Sequence, residues 1–318
     1  MSYIPKRIIV CLITLFLVSI LCFLVFNVIR GDAALTLGGI WITPEQLEQL
    51  REEMGLNRNI FIRYFDWLIN FFKGDMGISY SFRGEDISLL ITQRLPVTIS
   101  LALLSLFFIL IISFTVSLLT IKREANLIDN VVNIFTAAGI STPGFFLGLL
   151  FILIFGFTLN IFIPGDFTNY NENFLLFLGS LCFPALAIAI PNSAILIKFL
   201  RGSLFAELKS DYVRTAKSKG ASRLYILRYH VFKNACLPAI TILGMIIAEV
   251  FSGSIIIEQV FTIPGIGRLL ISAISSRDYP LIQALMVYIA FIVVIANTLA
   301  DITNMIIDPR IKNTRKVR

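Results

Sequence analysis

Residues Leu204–Lys233 read LFAELKSDYVRTAKSKGASRLYILRYHVFK and lie between two long apolar segments. From Lys198 to Lys233, nine Lys and Arg residues stand against two acidic residues. A segment with this charge cannot enter the hydrocarbon core of a bilayer, and Lys and Arg are concentrated in the cytoplasmic loops of membrane proteins. The sequence therefore predicts a cytoplasmic loop between two membrane-spanning helices.

The composition of the whole chain agrees with this interpretation. Hydrophobic residues make up 57% of the chain, charged residues 15%, and the mean hydropathy is +0.85. Soluble domains contain about 45–50% apolar residues. The sequence thus predicts an all-α membrane protein in a lipid bilayer. Its net charge of +7 is concentrated in loops, so we expect no nucleic-acid partner.

Residues suited to catalysis or metal binding are sparse in the sequence. The four cysteines are scattered without metal or disulfide spacing, and His230 is the one histidine. The sequence contains neither the phosphate-binding loop of ATPases nor the nucleophile motif of hydrolases. We therefore expect no cofactor, no metal site, no catalytic residues and no enzymatic activity of the chain's own.

The apolar segments predict six spanning helices, each long enough to cross about 30 Å of hydrocarbon. They are 8–29, 96–121, 131–159, 174–200, 237–257 and 281–307. Pro143-Gly144 predicts a kink in the third span, and Pro184 and Pro191 predict interruptions in the fourth.

The predicted organisation has four parts. An N-terminal transmembrane helix (1–30) precedes an extracytoplasmic helical segment (31–95). A five-helix core (96–307) includes the cytoplasmic loop 201–235, and a basic cytoplasmic tail (308–318) follows. With six spans, 18 of the 27 Lys and Arg residues fall on the side of the two termini, which predicts that both termini are cytoplasmic.

Helix-capping signals divide the extracytoplasmic segment. Thr43-Pro44-Glu45-Gln46 predicts a capping box for a helix that ends at Gly55, and Asn59 predicts the start of a helix over 60–73. A third helix is expected over 85–94, ahead of Pro96. Between the last two spans, 264–267 predicts a sharp turn followed by a short amphipathic helix over 268–275.

The basic loop itself has a helical pattern. Apolar residues recur at four-residue spacing, which predicts one amphipathic helix that ends at Gly220, with a second short helix over 223–233. The stripe consists of Leu204, Leu208 and Tyr212, extended by Phe205 and Ala216. Such a helix either lies on anionic lipid or docks on a soluble partner.

Polar residues within predicted spans are candidates for a translocation path, because they are costly in hydrocarbon. Glu249 lies in the middle of the fifth span, and Asn192 adjoins Pro191 in the fourth. Asn297 and Asp301 share one face of the sixth span with Asn304. The alternative is that these groups form hydrogen bonds between helices and fix the bundle.

The stretch 211–220, DYVRTAKSKG, resembles the coupling segment of ABC importer permeases, most closely the oligopeptide, dipeptide and nickel group. The general pattern of that segment is E-A-A-x-x-x-G. Here Arg214 stands for the Glu and Thr215 for the first Ala, while Ala216 and Gly220 match. Further similar motifs lie at 30–33, 52–56, 74–80, 94–98, 230–238, 264–268, 277–280, 297–301 and 308–310.

The resemblance implies the type I ABC importer permease fold in a bacterial or archaeal cell membrane. It implies four further subunits: a second homologous permease, two ABC ATPase subunits and an extracytoplasmic substrate-binding protein. The cargo is expected to be peptides, nickel or metal chelates. ATPase coupling is expected from Leu204, Leu208, Asp211, Tyr212, Arg214, Thr215, Ala216 and Gly220. The path or its gate is expected at Glu249, Pro264, Gly265, Gly267, Asn297 and Asp301.

Two other classes of protein compete with this interpretation. A stand-alone secondary transporter or channel predicts inverted repeats with paired broken helices. We find no such pairing in the sequence, and the single basic loop is asymmetric. An intramembrane enzyme requires paired catalytic groups, which Glu249 and Asp301 lack in the sequence.

Overall fold

A computed structural model describes residues 3–29, 43–53, 57–121 and 127–307. These residues are almost entirely helical, apart from loops and one isolated β-bridge between Ile78 and Asp86. The chain divides into two compact units. The first comprises residues 1–97 and 264–295, and the second comprises residues 98–263 and 296–318.

Twelve α-helices lie within the described residues. They are α1 (Tyr3–Ile29), α2 (Pro44–Glu53), α3 (Ile60–Lys73), α4 (Ile87–Thr120), α5 (Leu127–Ser141), α6 (Gly144–Phe151), α7 (Phe174–Leu208), α8 (Asp211–Ser218), α9 (Arg223–Ile226), α10 (Phe232–Val260), α11 (Ile266–Ser275) and α12 (Tyr279–Ile307). A π-helical stretch, Ile152–Thr158, extends α6, and another, Leu227–Val231, joins α9 to α10.

Five helical segments within the described residues are long and apolar enough to cross a membrane. They are Pro5–Val25, Ile87–Thr120, Phe174–Leu208, Leu224–Val260 and Tyr279–Leu299. The predicted third span is a bent pair of helices instead of one kinked helix, because α5 and the extended α6 meet at 100°. Pro143 disfavours helical geometry at Thr142 and has no N–H to continue the helix, which accounts for the break.

Other predicted breaks are absent. The predicted helix over 85–94 and the second span form one helix, α4, with Pro96 inside it. Pro184 and Pro191 lie within the unbroken α7, and the predicted helix over 223–233 runs through the π-helical stretch into α10. Prolines are tolerated inside spanning helices because neighbouring helices and local adjustments satisfy the backbone groups that they free.

The capping predictions in the first unit are confirmed where the structure describes them. The backbone N–H of Thr43 donates to Gln46 Oε1 at 3.2 Å, and the N–H of Gln46 donates to Thr43 Oγ1 at 3.3 Å, which is a reciprocal capping box. Asn59 caps α3 by accepting from the N–H of Phe61 at 2.9 Å. Gly55 and the tail 308–318 lie outside the described residues.

Helix α3 packs along α1 through aromatic side chains. The hydroxyls of Ser19 and Tyr64 are 2.8 Å apart in a buried hydrogen bond. The Phe23 ring packs edge-on against Tyr64, with ring centroids 5.3 Å apart, and also contacts Trp67. The opposite face of α3 leaves Phe61 and Phe72 exposed. The face of α3 that carries Tyr64 and Trp67 therefore packs on the first span.

The core of the first unit lies between the start of α4, α11 and the start of α12. Apolar residues at both ends of the sequence meet there. Its fully or nearly fully buried members are Ile87, Leu90, Ile91, Ile266, Leu269, Leu270, Ala273, Leu281, Ile282, Ala284 and Leu285. The predicted amphipathic helix over 268–275 is confirmed as α11, which begins two residues earlier.

A buried carboxylate, that of Asp278, links the two sequence segments of this unit. Asp278 is 1% exposed and caps the start of α12, where its Oδ1 accepts from the N–H of Leu281 at 3.3 Å. Its Oδ2 accepts from Ser79 Oγ at 2.5 Å, Ser81 Oγ at 2.7 Å and the Ser81 N–H at 2.9 Å. The turn before α4 is thereby fixed to a helix terminus 199 residues away in the sequence.

In the second unit, α7 is the central helix. Helices α5, α6 and α10 all pack on it. A Cβ added at Gly139 of α5 would lie 2.8 Å from the Ala194 side chain, so a larger residue at that position would force the two helices apart. Near the end of α7, Arg201 pairs with Asp129 and donates to Asn133 Oδ1 at 3.1 Å. Arg201 is 6% exposed, so it is not one of the loop charges.

We expect Asp278→Asn to destabilise the first unit. The substitution removes the charge that four donors share, and a hydrogen bond to a charged group contributes about 1.5–3 kcal/mol. The measurement is the midpoint of thermal unfolding of the purified protein in detergent, followed by cysteine labelling. Asp166→Asn, at an exposed aspartate in a loop of the second unit, is the control and should leave the midpoint unchanged. An equal midpoint for both variants would contradict the role of Asp278.

Candidate functional site

The basic loop is shorter than predicted, because α7 continues to Leu208. Lys209 and Ser210 then separate α7 from α8, with Ser210 in an extended conformation. The prediction that Leu204, Leu208 and Tyr212 form one face of a single helix is therefore wrong. Leu204 is 0% exposed inside the second unit, so it is not available as a docking residue.

Helix α8 turns its apolar side inward. Val213 is 1% exposed, and Tyr212 and Ala216 are half-buried. The residues on the outer side are Asp211, Arg214, Thr215, Lys217 and Ser218. The helix thus presents a polar surface to its surroundings. This arrangement argues against a helix that inserts an apolar face into lipid.

Tyr212 connects α8 to the helices on either side of it. Its hydroxyl donates to the carboxylate of Glu207 at the end of α7 and accepts from Asn234 Nδ2 of α10 at 3.4 Å. Burial, followed by the hydrogen bond to Glu207, raises the pKa of Tyr212 above its usual value. The phenol therefore stays protonated at neutral pH and acts as the donor to Glu207.

Gly220 ends α8, as the sequence predicts. Its φ of +82° is in the left-handed region. The N–H of Gly220 donates to the carbonyl of Lys217 at 3.0 Å, and the N–H of Ala221 donates to that of Ala216 at 3.1 Å. These two bonds form a Schellman motif. The backbone carbonyls at the end of α8 are thus satisfied within the loop.

The structure shows an exposed apolar surface beside α8 that the sequence analysis does not predict. Leu224 is 67% exposed, and Tyr225 and Tyr229 are also exposed, with ring centroids 4.9 Å apart. The guanidinium carbon of Arg228 lies 5.6 Å from the Tyr229 ring centroid. The sequence signal was present, since two tyrosines at a spacing of four residues share a helix face.

The other candidates do not form one cluster. Glu249 and Asn192 line a cavity of about 130 Å³ in the second unit. Asn297 and Asp301 are half-buried on α12 and do not line this cavity. Pro264, Gly265 and Gly267 belong to the first unit, at the start of α11, where Gly265 is extended and Gly267 is buried. Among the described residues, no group of three or more His, Cys, Asp or Glu side chains could hold a metal ion.

Comparison with known proteins identifies the family. Residues 118–313 match the family described as binding-protein-dependent transport system inner membrane component, and residues 1–102 match the N-terminal family of the same systems. The chain belongs to this family of permeases. The resemblance drawn from the loop sequence is therefore confirmed.

Full-length relatives support the same conclusion. The permease is 35% identical to the oligopeptide transport system permease protein of Bacillus subtilis, over 98% of this chain and 99% of the relative. It is 34% identical to a putative peptide transport system permease protein of Brucella abortus, with the same coverage. It is 30% identical to the dipeptide transport system permease protein of Lactococcus lactis, again over 98% and 99%.

Gly220→Ala in this permease should loosen the end of α8. An added Cβ meets no atom within 4 Å, so the penalty comes from the positive φ alone and amounts to roughly 1–2 kcal/mol. The readout is the rate at which trypsin cuts after Lys217 and Lys219 in detergent, which should rise about fivefold to thirtyfold.

The matched control for that experiment is Gly202→Ala. Gly202 lies inside α7, its added Cβ also meets no atom within 4 Å, and its φ is not positive. Alanine in a helix interior is favoured over glycine by about 0.5–1 kcal/mol. Cutting after Lys217 and Lys219 should therefore stay at the original rate in Gly202→Ala. Equal rates in the two variants would contradict the capping role of Gly220.

Proposed function

We propose that this permease and a second, homologous permease form the membrane pathway of an ATP-driven peptide importer. The observation that carries the proposal is α8, a short helix with a polar outer face. Tyr212 bonds it to the ends of α7 and α10, and Gly220 caps it. Such a helix transmits movement from a soluble partner to the spans on which it is mounted. We place an ABC ATPase subunit on this face, and a second ATPase on the partner permease.

The contact surface that we propose for the ATPase differs from the one that the sequence suggests. Arg214, Thr215 and Ser218 form its exposed side, and Asp211 lies at the start of the helix. Tyr212, Ala216 and Gly220 hold the helix in place from the inner side and the end. Leu208 closes α7 immediately before the loop, and Leu204 lies in the core.

We propose peptides as the cargo, delivered by an extracytoplasmic substrate-binding protein. The three relatives described above are named for peptides, oligopeptides or dipeptides. We propose that the binding protein docks on the segment between α1 and α4, which the sequence predicts to be extracytoplasmic. We also propose that Glu249, Asn297 and Asp301 face the path, and that the turn at 264–267 acts as its outer gate.

The orientation follows from the basic residues. If the bent pair α5–α6 crosses the membrane once, the chain has six spans and its basic loop lies on the side of both termini. If the pair instead re-enters, the basic loop faces the opposite side from the N-terminus, against the preference of Lys and Arg for the cytoplasm. We therefore propose six crossings and cytoplasmic termini. Helix α5 alone, with 15 residues, is too short to cross.

Transport in this proposal is alternating access. ATP binding draws the two ATPases together and moves α8, and the spans that carry α8 then open the path outward. The energy comes from the different affinity of the ATPases for ATP in the two states, because a ligand shifts an equilibrium only through differential binding. In this proposal the permease itself carries out no chemical step.

Thr215→Trp should abolish peptide uptake and leave the permease in the membrane. Thr215 is on the exposed side of α8, so a bulky side chain there obstructs the ATPase contact without disturbing the chain's own core. Uptake by cells and the amount of ATPase that co-purifies should both fall at least tenfold. Ile163→Trp, at a residue that is 71% exposed in the loop after α6, is the control and should preserve both. Normal uptake by Thr215→Trp would refute the proposed coupling surface.

Gentle extraction of a tagged permease should recover two ATPase subunits and a second permease. Uptake in vesicles should require ATP and the binding protein. A homo-oligomer that transports without ATP would instead support the stand-alone secondary transporter.

A further inference from the structure

The cavity in the second unit contains polar groups for which the coupling function has no use. It has a volume of about 130 Å³ and lies among α6, α7 and α10. Its lining consists of Gly144, Phe145, Ile188, Pro191, Asn192, Glu249, Gly253, Ile256 and Ile257. Apart from the backbone, Asn192 and Glu249 are its polar members, set in an otherwise apolar lining.

Asn192 leaves one hydrogen-bond acceptor unused. The residue is 5% exposed, and its Nδ2 donates to the carbonyl of Ile188 at 2.9 Å. That bond fixes the orientation of the amide, since the oxygen cannot take the donor's place. Asn192 Oδ1 is buried and has no hydrogen-bond partner among the described residues. Buried acceptors without a partner are rare in native proteins, and a donor from outside the chain would satisfy this one.

Glu249 places a carboxylate in the same cavity. It lies in the middle of α10, inside the apolar segment Leu224–Val260, and its side chain is exposed in the isolated chain. A carboxylate in a spanning helix faces a bundle interior or a water-filled space, because exposure to lipid is costly. Glu249 and Asn192 Oδ1 both accept hydrogen bonds. The group that complements them is a cation with several N–H donors.

The volume of the cavity determines how much of a ligand it can enclose. A volume of about 10–15 Å³ is enough for one water molecule, and an apolar cavity of about 150 Å³ binds benzene. A cavity of about 130 Å³ therefore encloses the end of a peptide, while the rest of the peptide extends beyond it. Gly144 contributes to this space, since a Cβ there would lie 3.1 Å from the carbonyl oxygen of Ala187.

We propose that this cavity binds the protonated α-amino group of the transported peptide. Glu249 supplies the counter-charge, and Asn192 Oδ1 accepts one of the three N–H groups. An ammonium group suits one carboxylate and one amide oxygen, whereas a divalent metal ion requires more oxygen ligands than the lining provides. The inference rests on the proposed function, because it assigns a contact to the cargo of that importer.

Gly253→Cys provides a reporter inside the cavity. Gly253 lines it, and a Cβ added there meets no atom within 4 Å, so the substitution fits the fold. The experiment uses the complete importer in proteoliposomes, with the native cysteines of this chain replaced by alanine. The rates of thiol modification are compared for an aminoethyl and a hydroxyethyl methanethiosulfonate, which are similar in size and differ in charge.

The cationic reagent should react about tenfold faster than the neutral one, because a cleft with one sign of charge concentrates counter-ions. Glu249→Gln should abolish this preference. Tri-alanine should slow modification by the neutral reagent, and N-acetyl-tri-alanine should not. Asn192→Leu should weaken the protection by tri-alanine several-fold. Gly179→Cys, a site on α7 with equal space and outside the cavity lining, should show neither the preference nor the protection.

Three results would overturn the site. They are no reaction at Gly253→Cys, a charge preference that survives Glu249→Gln, and equal protection by the two peptides. Uptake of tri-alanine by the unmodified importer separates this inference from the proposed function. Uptake without amine-dependent protection rejects the cavity and keeps the importer. Protection without uptake rejects the importer and keeps an amine-binding cavity.

Discussion

The constraint on which this structure depends is that hydrocarbon offers no partner for a backbone N–H or C=O group. Chain that crosses a bilayer must satisfy these groups internally, and helices do so. This explains why Pro96, Pro184 and Pro191 are accommodated within α4 and α7 and do not end them. Irregular backbone at such depth is tolerated where protein surrounds it. The break at Pro143 joins two helices, α5 and α6, that both pack on α7, while Ser141 and Pro143 themselves are exposed in the isolated chain.

The same constraint explains why the basic loop has a geometry of its own. Outside hydrocarbon, the chain is free to end one helix and begin another, and local side chains then determine its geometry. Tyr212 connects three helices through one hydroxyl, and Gly220 closes the carbonyl end of α8. Charges cover the outer side, whereas Arg201 is drawn inward to Asp129. These internal contacts hold α8 against its neighbours, as the lever that we propose between subunits requires.

Much of this structure was predictable from local patterns. The capping box at Thr43, the cap at Asn59 and the stop at Gly220 depend on neighbouring residues alone, and all three were predicted. The break between Leu208 and Asp211 was not predicted, because the four-residue apolar spacing continues across it. Only the structure shows that Leu204 is buried in the core and is not on the outer face of the loop. The contact between Ser79 and Asp278 could not be predicted from local patterns, since 199 residues separate the two side chains. The cavity around Glu249 depends in the same way on packing among three helices.

The bond between Ser79 and Asp278 also has a consequence for biogenesis. Ribosomes add about 5–20 residues per second, so the turn that contains Ser79 emerges about 10–40 s before Asp278. During that interval Ile87, Leu90 and Ile91 lack the partners that α11 and α12 supply. A nascent chain that stalls before residue 264 therefore carries an apolar surface without its partners, and exposed apolar surface of this kind promotes aggregation. The first unit completes its core only after α11 and the start of α12 have been synthesised.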